Sequence, residues 1–407
     1  MTEDDAKHAV TREPLPKDVV LLGWVSFFND VSSEMIYPLL PLFTVVVLET
    51  SATSLGWVEG VAQATVALLT AWVGLRSDRF RRRAPYVQLG YGLPLVGKAV
   101  LALAVAWPMV MLGRVIDRVG KGIRSAPRDA LIADVTPAAD RGRAFGLHRA
   151  MDSAGAVVGI LLSAFLLWWF TGTPAKGQTA SEQTASSFRL IFAIAAGLGL
   201  IALVFTFKLR DRPHEEKATS TAPDHKLSRQ YWVVLALLLV FSLANSSDAF
   251  LLLRAVDLGL APWEVVLLYA VMSVVYMLGS YPAGTLSDRF GRWPLLAIGW
   301  AIYAVVYSLL ACTGAVAIWP LLALYGIQLA ITDGVGKALL VDHAPKDRRG
   351  FALGIFYMAT SATTLASSVI AGVLWDRIDS DAPFWFGGGV AAFALLLLLV
   401  IRPWRRA

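Results

Sequence analysis

The chain has 407 residues, is 57% hydrophobic and only 16% charged, and has a mean hydropathy of +0.60. A soluble domain of that length carries about 25% charged residues, so a soluble enzyme or binding module is excluded. The single cysteine, Cys312, excludes an intramolecular disulfide.

In chain order, residues 1–17 (MTEDDAKHAVTREPLPK) are polar and of mixed charge. With no apolar core and no cleavage signal, they read as a cytoplasmic tail rather than a signal peptide. Apolar runs long enough to cross a bilayer as helices then follow at 19–48, 54–75, 85–106, 108–133, 143–170, 189–207, 230–256, 263–285, 293–313, 317–341, 350–374 and 383–401. The expected fold class is therefore an all-α membrane protein of twelve transmembrane helices. The composition breaks once, at 209–229, where a charged, Pro-, Ser- and Thr-containing segment reads as a cytoplasmic linker. It separates a six-span half at 18–208 from a second at 230–402, and 403–407 form a short basic tail.

Loops after spans 2, 4, 6, 8 and 10 read RSDRFRRR, DRGR, KLRDRPHEEK, DRFGR and KDRR, whereas the alternate loops are almost free of basic residues. The positive-inside rule places the first set, and both termini, in the cytoplasm. This asymmetry accounts for the net charge of +6, so no nucleic-acid partner is expected. The expected partners are a lipid bilayer and a small-molecule substrate, with an inner membrane expected as the location and a monomer as the working unit.

Ionisable residues within a span are costly and normally face a cavity. In span 1, Asp30 and Glu34 are four apart and share a helix face with Tyr37 one turn on. Two carboxylates on one face repel, which favours binding of a proton or another cation. The competing reading is a helix-packing network with Asn29 and Ser33. In span 4, Arg114, Asp117, Lys121, Arg124 and Arg128 recur at spacings of 3, 4, 3 and 4, one stripe along one face. Such a stripe is expected to pair with the span 1 carboxylates or to clamp an anionic substrate group, with Asp117 paired to Arg114 or Lys121. Arg118 and Asp129 lie off it, and Arg124 and Arg128 are near enough to the cytoplasmic end to snorkel. In span 5, His148 and Asp152 are four apart and form a candidate titrating pair.

The second half has fewer buried charges. Asp248 lies inside span 7 with Asn245 and Ser246, Asp333 and Lys337 are expected to pair in span 10, and Arg254 and Asp257 read as structural. Tyr269, Tyr276, Tyr303, Tyr325 and Gln328 are candidates for shaping a substrate site, against ordinary packing or an interfacial belt. The N-terminal half is thus assigned to the coupling ion. Tyr37, Arg124, Asp248, Tyr276, Gln328, Asp333 and Lys337 are the substrate-binding candidates.

The chain also repeats itself. Asp134-Val-Thr-Pro, Arg141-Gly142 and Ala144-Phe-Gly146 recur about 208 positions later as Asp342-His-Ala-Pro, Arg349-Gly350 and Ala352-Leu-Gly354. Gly74-x-x-x-Asp78-Arg79 recurs as Gly284-x-x-x-Asp288-Arg289. Two hydrophobic halves on one plan are the signature of a transporter whose halves rock about a central site.

The two six-helix halves, the linker and the loops GLRSDRFRRR (74–83) and GTLSDRFGRW (284–293) resemble the major facilitator superfamily, nearest its twelve-helix drug-efflux branch. The first copy has Arg81 where the family usually has glycine. Arg114, about twenty residues before Asp134, resembles the family's proton-coupling span. Gly155-x-x-x-Gly159-x-x-x-Ser163 resembles its antiporter motif, without the proline and glycine pair expected around 160–164. The loop motif also has a physical reading. Asp78 and Asp288, at helix ends, are expected to accept backbone N–H groups at the starts of spans 11 and 5, near Gly350 and Gly142. These contacts, flanked by Gly74, Arg79, Gly284, Arg289, Asp134, Arg141, Asp342 and Arg349, would latch the cytoplasmic side. The alternative is a solvated loop salt bridge.

Gly92 to Lys98 matches most of a phosphate-loop pattern, but Ala99 replaces the required Ser/Thr and the segment lies in an apolar span. Lys98 has no partner legible in the sequence. No metal-ligand spacing or nucleophile elbow occurs, so no enzymatic activity, cofactor or metal is expected, and a proton is the coupling ion. The reading is proton-coupled efflux of a small organic solute, drug-like or siderophore-like. The runner-up is proton-coupled or exchange uptake of an anionic metabolite, and a non-transporting receptor or assembly factor is the alternative of another class.

Overall fold

A computed structural model describes residues 15–77, 83–137, 140–171, 180–209, 227–345 and 349–401. The loop residues Asp78 and Arg79 lie outside the described residues, as do the side chains of Gly74, Asp288, Arg141 and Arg349.

All regular structure among the described residues is helical. The elements are α1 (Lys17–Glu34), α2 (Ala52–Ser77), α3 (Ala84–Ala102), α4 (Trp107–Val135), α5 (Arg141–Thr171), α6 (Ala180–Thr206), α7 (Arg229–Ala244), α8 (Ala249–Asp257), α9 (Pro262–Phe290), α10 (Arg292–Cys312), α11 (Ile318–Asp342), α12 (Arg349–Arg377) and α13 (Ala382–Ile401). A 3-10 turn at Tyr37–Leu39 and a π-helical turn at Leu42–Val47 complete the first span, and α7 and α8 together make the seventh. Twelve spans result, in two six-helix bundles. The start of α1 and the end of α13 lie on one side, called here the basic face, where α4 meets α5 and α9 meets α10.

Two spans expected to be continuous are broken at mid-depth. In the first, α1 stops at Glu34 and the chain passes through Pro38 and Pro41, which cannot donate helical hydrogen bonds. In the seventh, the run Asn245-Ser246-Ser247-Asp248 interrupts the helix, because short polar side chains compete for backbone groups. The breaks correspond under the internal repeat: Tyr37 and Asn245 are 208 positions apart. Freed backbone groups at membrane depth persist only where protein or a cavity satisfies them. Here Ser163 Oγ donates to the Met35 carbonyl (2.9 Å), Tyr303 Oη to the Ala244 carbonyl (2.8 Å), and Ser368 Oγ accepts from the Ser247 N–H (3.1 Å).

Small residues set the close helix contacts. A Cβ at Gly155 or Gly159 would overlap the carbonyl oxygens of Phe27 and Val31, so the expected close-packing motif of span 5 seats α5 directly on α1. Ser163 extends that ridge onto Met35. Between the bundles, Gly56, Gly60 and Gly372 form a seam of α2 against α12: a Cβ at Gly56 would overlap the Ser368 carbonyl, one at Gly60 the Leu365 side chain, and one at Gly372 would lie 2.6 Å from Thr53 Cα. These contacts lie in the first turns of α2 and the last of α12, so they close the face opposite the basic one. At the basic end, Gly146, Gly284, Gly334 and Gly354 have nothing within 4 Å of an added Cβ. The structure is closed at the far face and open toward the basic face.

Candidate functional site

The repeated loop sequences become the same ion pair twice. Asp134 at the end of α4 accepts from Arg83, just before α3; Asp342 at the end of α11 accepts from Arg292 at the start of α10. Arg292 also donates to the Ala338 carbonyl at 2.8 Å. Asp134 and Asp342 therefore each brace neighbouring helices within their own half, while Asp78 of the expected latch lies outside the described residues. Arg289 is exposed and lies 5.5 Å over the Phe290 ring, and Gly284 lines the opening.

A latch of the expected chemistry does occur, at the other face. Asp376 near the end of α12 accepts from the backbone N–H groups of Ala52 (2.9 Å) and Thr53 (2.8 Å), and from Thr53 Oγ1 (2.6 Å). A carboxylate thus caps the N-terminus of α2 across the two halves.

The charged stripe of α4 divides. Arg114, 3% exposed, donates through Nε (3.0 Å) and Nη2 (2.8 and 2.9 Å) to Glu59 of α2, itself 1% exposed. Arg114 was expected to face Asp30 and Glu34; its carboxylate partner is Glu59, which completes a forked, desolvated pair. Asp117 pairs with Arg118 at 3.4 Å, not with Arg114 or Lys121. Arg124 donates to the Gly90 carbonyl (3.0 Å) and stacks 4.6 Å over Tyr91, so it is buried against α3 and is not a substrate contact. Arg128 pairs with its neighbour Asp129 at 2.9 Å. Lys121 alone of the stripe is exposed, and it acts electrostatically on Asp30 and Glu34. The stripe divides because α4 is wrapped by α2 and α3 along most of its length, leaving one narrow strip toward the opening.

Asp30 accepts from Asn29 Nδ2 (2.9 Å), and Asp152 of α5 is held beside it on the same face of α1 by its bond to Ser26, one turn before Asp30. Asp152 accepts from Ser26 Oγ (2.6 Å) and Arg149 (3.4 Å). The expected His148–Asp152 pair does not form: His148 is 5% exposed and its Nε2 has no partner among the described residues. The α1–α5 glycine contact brings Asp152 to Asp30 instead. Glu34, half-buried, has no hydrogen-bonded partner among the described residues, and Lys121, Arg118 and Arg114 bear on it electrostatically. Lys98, 2% exposed, donates to Ser32 (2.5 Å) and Ser33 (3.2 Å) of α1, and Ser32 donates on to the Ala195 carbonyl.

In the second half, Asp248 at the span 7 break accepts from Tyr325 Oη (2.8 Å), which also lies 3.4 Å from Asn245. Tyr37 meets Tyr269 of α9 with ring centroids 5.5 Å apart, and Arg114 lies 5.4 Å over its ring. Asp333 and Lys337 pair as expected (2.7 Å), and Tyr276 donates to Asp333 (3.1 Å). Tyr276 and Asp333 line a cavity of ≈ 310 Å³ between α9 and α11, open to the basic face, together with Ser287 and Arg292. Gln328 is 1% exposed and bonds Thr332 of its own helix at 3.0 Å, so it belongs to the core of its bundle and not to the opening. Arg254 is a structural staple, as expected, holding Asp257 and Asp381 (2.6 Å each) at the far face.

Sequence reasoning missed Glu59, Arg83, Arg292 and Asp376. Glu59 carried a signal, being an acid in the middle of an apolar run. The two arginines sit at repeat-related positions, 209 residues apart.

Two pseudo-symmetric six-helix bundles, broken first and seventh spans and buried charges at their junction define a two-bundle membrane transporter. The chain matches the Major Facilitator Superfamily model over residues 22–325 and 233–406. An uncharacterised MFS-type transporter of Methanocaldococcus jannaschii is 34% identical over 396 residues, covering 95% of each chain. The quinolone resistance protein NorA of Staphylococcus aureus is 22% identical over 410 residues, 96% of this chain and 97% of that one. The nucleoside transporter NupG superposes with a TM-score of 0.76 at 13% identity over 95% of this chain and 99% of its own. A D-xylose–proton symporter superposes with a TM-score of 0.68 at 18% identity over 93% and 95%. The chain belongs to the Major Facilitator Superfamily, a family of membrane transporters and not of enzymes.

Proposed function

We propose that the protein is a proton-coupled exporter of a small organic solute that works by alternating access, with the basic face in the cytoplasm of an inner membrane. The observation that carries the reading is the facing pair Asp30 and Asp152. The two carboxyl groups come from helices α1 and α5, at mid-molecule, beside the exposed Lys121. Two neighbouring carboxyl groups hold one shared proton far better than they hold two negative charges. Loss of that proton leaves repulsion between α1 and α5 and a stronger pull on Lys121. The proton-binding unit is thus Asp30 with Asp152, and Glu34 is a neighbouring acid that shares Lys121. The NorA relative is named for quinolone resistance, and export of a small organic solute fits a cavity opening toward the basic face.

Uptake of an anionic metabolite is less well supported. Its clamp was to be the span 4 cations, of which Arg114, Arg118, Arg124 and Arg128 are each held by a carboxylate or a carbonyl, leaving Lys121 alone exposed.

The test uses inside-out vesicles acidified by respiration and carrying wild type, Asp30→Asn or Asp152→Asn. A fluorescent pH probe follows the addition of cationic, neutral and anionic solutes. Alkalinisation by one solute class in wild type, lost in both variants with unchanged protein insertion, is the expected result. Full activity in both variants rejects the proton site.

A further inference from the structure

We infer that Asp248 is the recognition site for the positively charged head of the transported solute, an organic ammonium carried on an aromatic or aliphatic body. The inference deepens the export reading above by naming the substrate class.

It begins from charge accounting around the opening. On the N-terminal side each buried acid has a nearby cation: Glu59 has Arg114, Asp117 has Arg118, and Asp30, Asp152 and Glu34 have Lys121 and Arg149 at hand. Asp333 of the other half has Lys337. Asp248 differs. Its hydrogen bond comes from a neutral phenol, Tyr325, and the charged group that bears on it is Glu59 of the opposite half, another anion. The N-terminus of α8 supplies partial positive charge to a carboxylate in that position, but no formal cation. A membrane-buried carboxylate without a counter-charge is costly and is retained for a ligand or an ion.

The surroundings specify which cation. Asp248 sits where span 7 is unwound, with Asn245 one turn back, and it is half-buried. Tyr37 and Tyr269, both half-buried, contact each other, and both lie within electrostatic range of Asp248. The Tyr37 ring already carries Arg114, which leaves Tyr269 as the aromatic face for an incoming charge. A carboxylate beside tyrosine rings satisfies an alkylated ammonium by charge and by cation–π attraction. A compact metal ion finds only one carboxylate here, and no cluster of three ligating acids, histidines or cysteines occurs among the described residues. An anion meets the Asp248 carboxylate, whose hydrogen bond comes from a neutral phenol and not from a cation. The position also joins the halves, since Tyr37 belongs to the first and Asp248 to the second. A bound ammonium therefore bears on the element that must rock.

The experiment uses the full-length protein purified in detergent, with no proton gradient. Its probes are benzyltrimethylammonium, the neutral isostere neopentylbenzene, and benzenesulfonate. Equilibrium binding is measured for wild type, Asp248→Asn, Asp248→Glu and Tyr269→Leu, with a melting curve for each to establish folding. The expected result is saturable binding of the ammonium. That affinity should fall about 10- to 100-fold in Asp248→Asn, the range for losing a charged partner. It should recover in part in Asp248→Glu, and neopentylbenzene should bind Asp248→Asn and wild type alike. Absence of saturable ammonium binding by wild type, equal affinity in folded Asp248→Asn, or preference for benzenesulfonate overturns the inference. Each of those outcomes leaves the Asp30–Asp152 proton reading to its own vesicle test, which involves neither Asp248 nor these probes.

Discussion

The Asp376 cap provides a direct handle on alternating access. α2 and α12 belong to different halves, so its hydrogen bonds exist only while the far face is closed. Asp376→Ala removes three of them, to Ala52 N, Thr53 N and Thr53 Oγ1. An N-cap side chain contributes about 1 kcal/mol, and a carboxylate at a helix N-terminus about 0.3–1 kcal/mol more. Asp376 is exposed, so solvent screening reduces the electrostatic part. The net loss is about 1–2 kcal/mol, a shift of roughly 5- to 30-fold in the ratio of far-face-open to far-face-closed molecules. Ser51 and Ile378 flank the seam and are exposed. Spin labels on Ser51→Cys and Ile378→Cys, in a Cys312→Ser background, read the separation by pulsed electron resonance. The variant should gain a longer-distance population, and Asp376→Glu should retain most of the short one. Identical distance distributions in wild type and Asp376→Ala would refute the reasoning.

Further substitutions probe the rest of the architecture. Glu59→Gln strands Arg114 in the interior and should lower stability by about 3–5 kcal/mol, seen as a reduced melting temperature; the double change Glu59→Leu with Arg114→Met should recover much of the loss. Gly159→Val places a side chain into the Val31 carbonyl, and should separate α1 from α5 and abolish transport; retained activity would show that the Asp30–Asp152 contact is not set by this ridge. Arg83→Asp and Asp134→Arg should each impair accumulation of folded protein, and the charge-swapped double variant should restore it if the pair acts as a brace.

The fold was legible because its signals are local. Apolar runs of bilayer length, basic loops on alternate sides and the repeat of Asp134 at Asp342 each need only sequence spacing. The Gly155–Gly159–Ser163 ridge was legible for the same reason, since a helix period places the three residues on one face. Partner choice was not legible. Arg114 takes Glu59 from another helix, and nothing in the spacing of α4 says which neighbour covers which part of its stripe. The mid-span breaks were visible only in part: Pro38, Pro41 and the polar run 245–248 were present, but hydropathy averages over them. The latch shows the same limit. Its chemistry, a carboxylate on a helix start across the two halves, is realised at Asp376, because the structure is closed at the face where Asp376 lies.

The central claim is that Asp30 and Asp152 share one exchangeable proton. Infrared difference spectroscopy of the purified protein across a pH titration tests it most directly, by following the stretching band of a protonated carboxyl group. The account predicts such a band that disappears on deprotonation in wild type and is missing or displaced in both Asp30→Asn and Asp152→Asn. A band unchanged by both substitutions would place the exchangeable proton elsewhere and contradict the account.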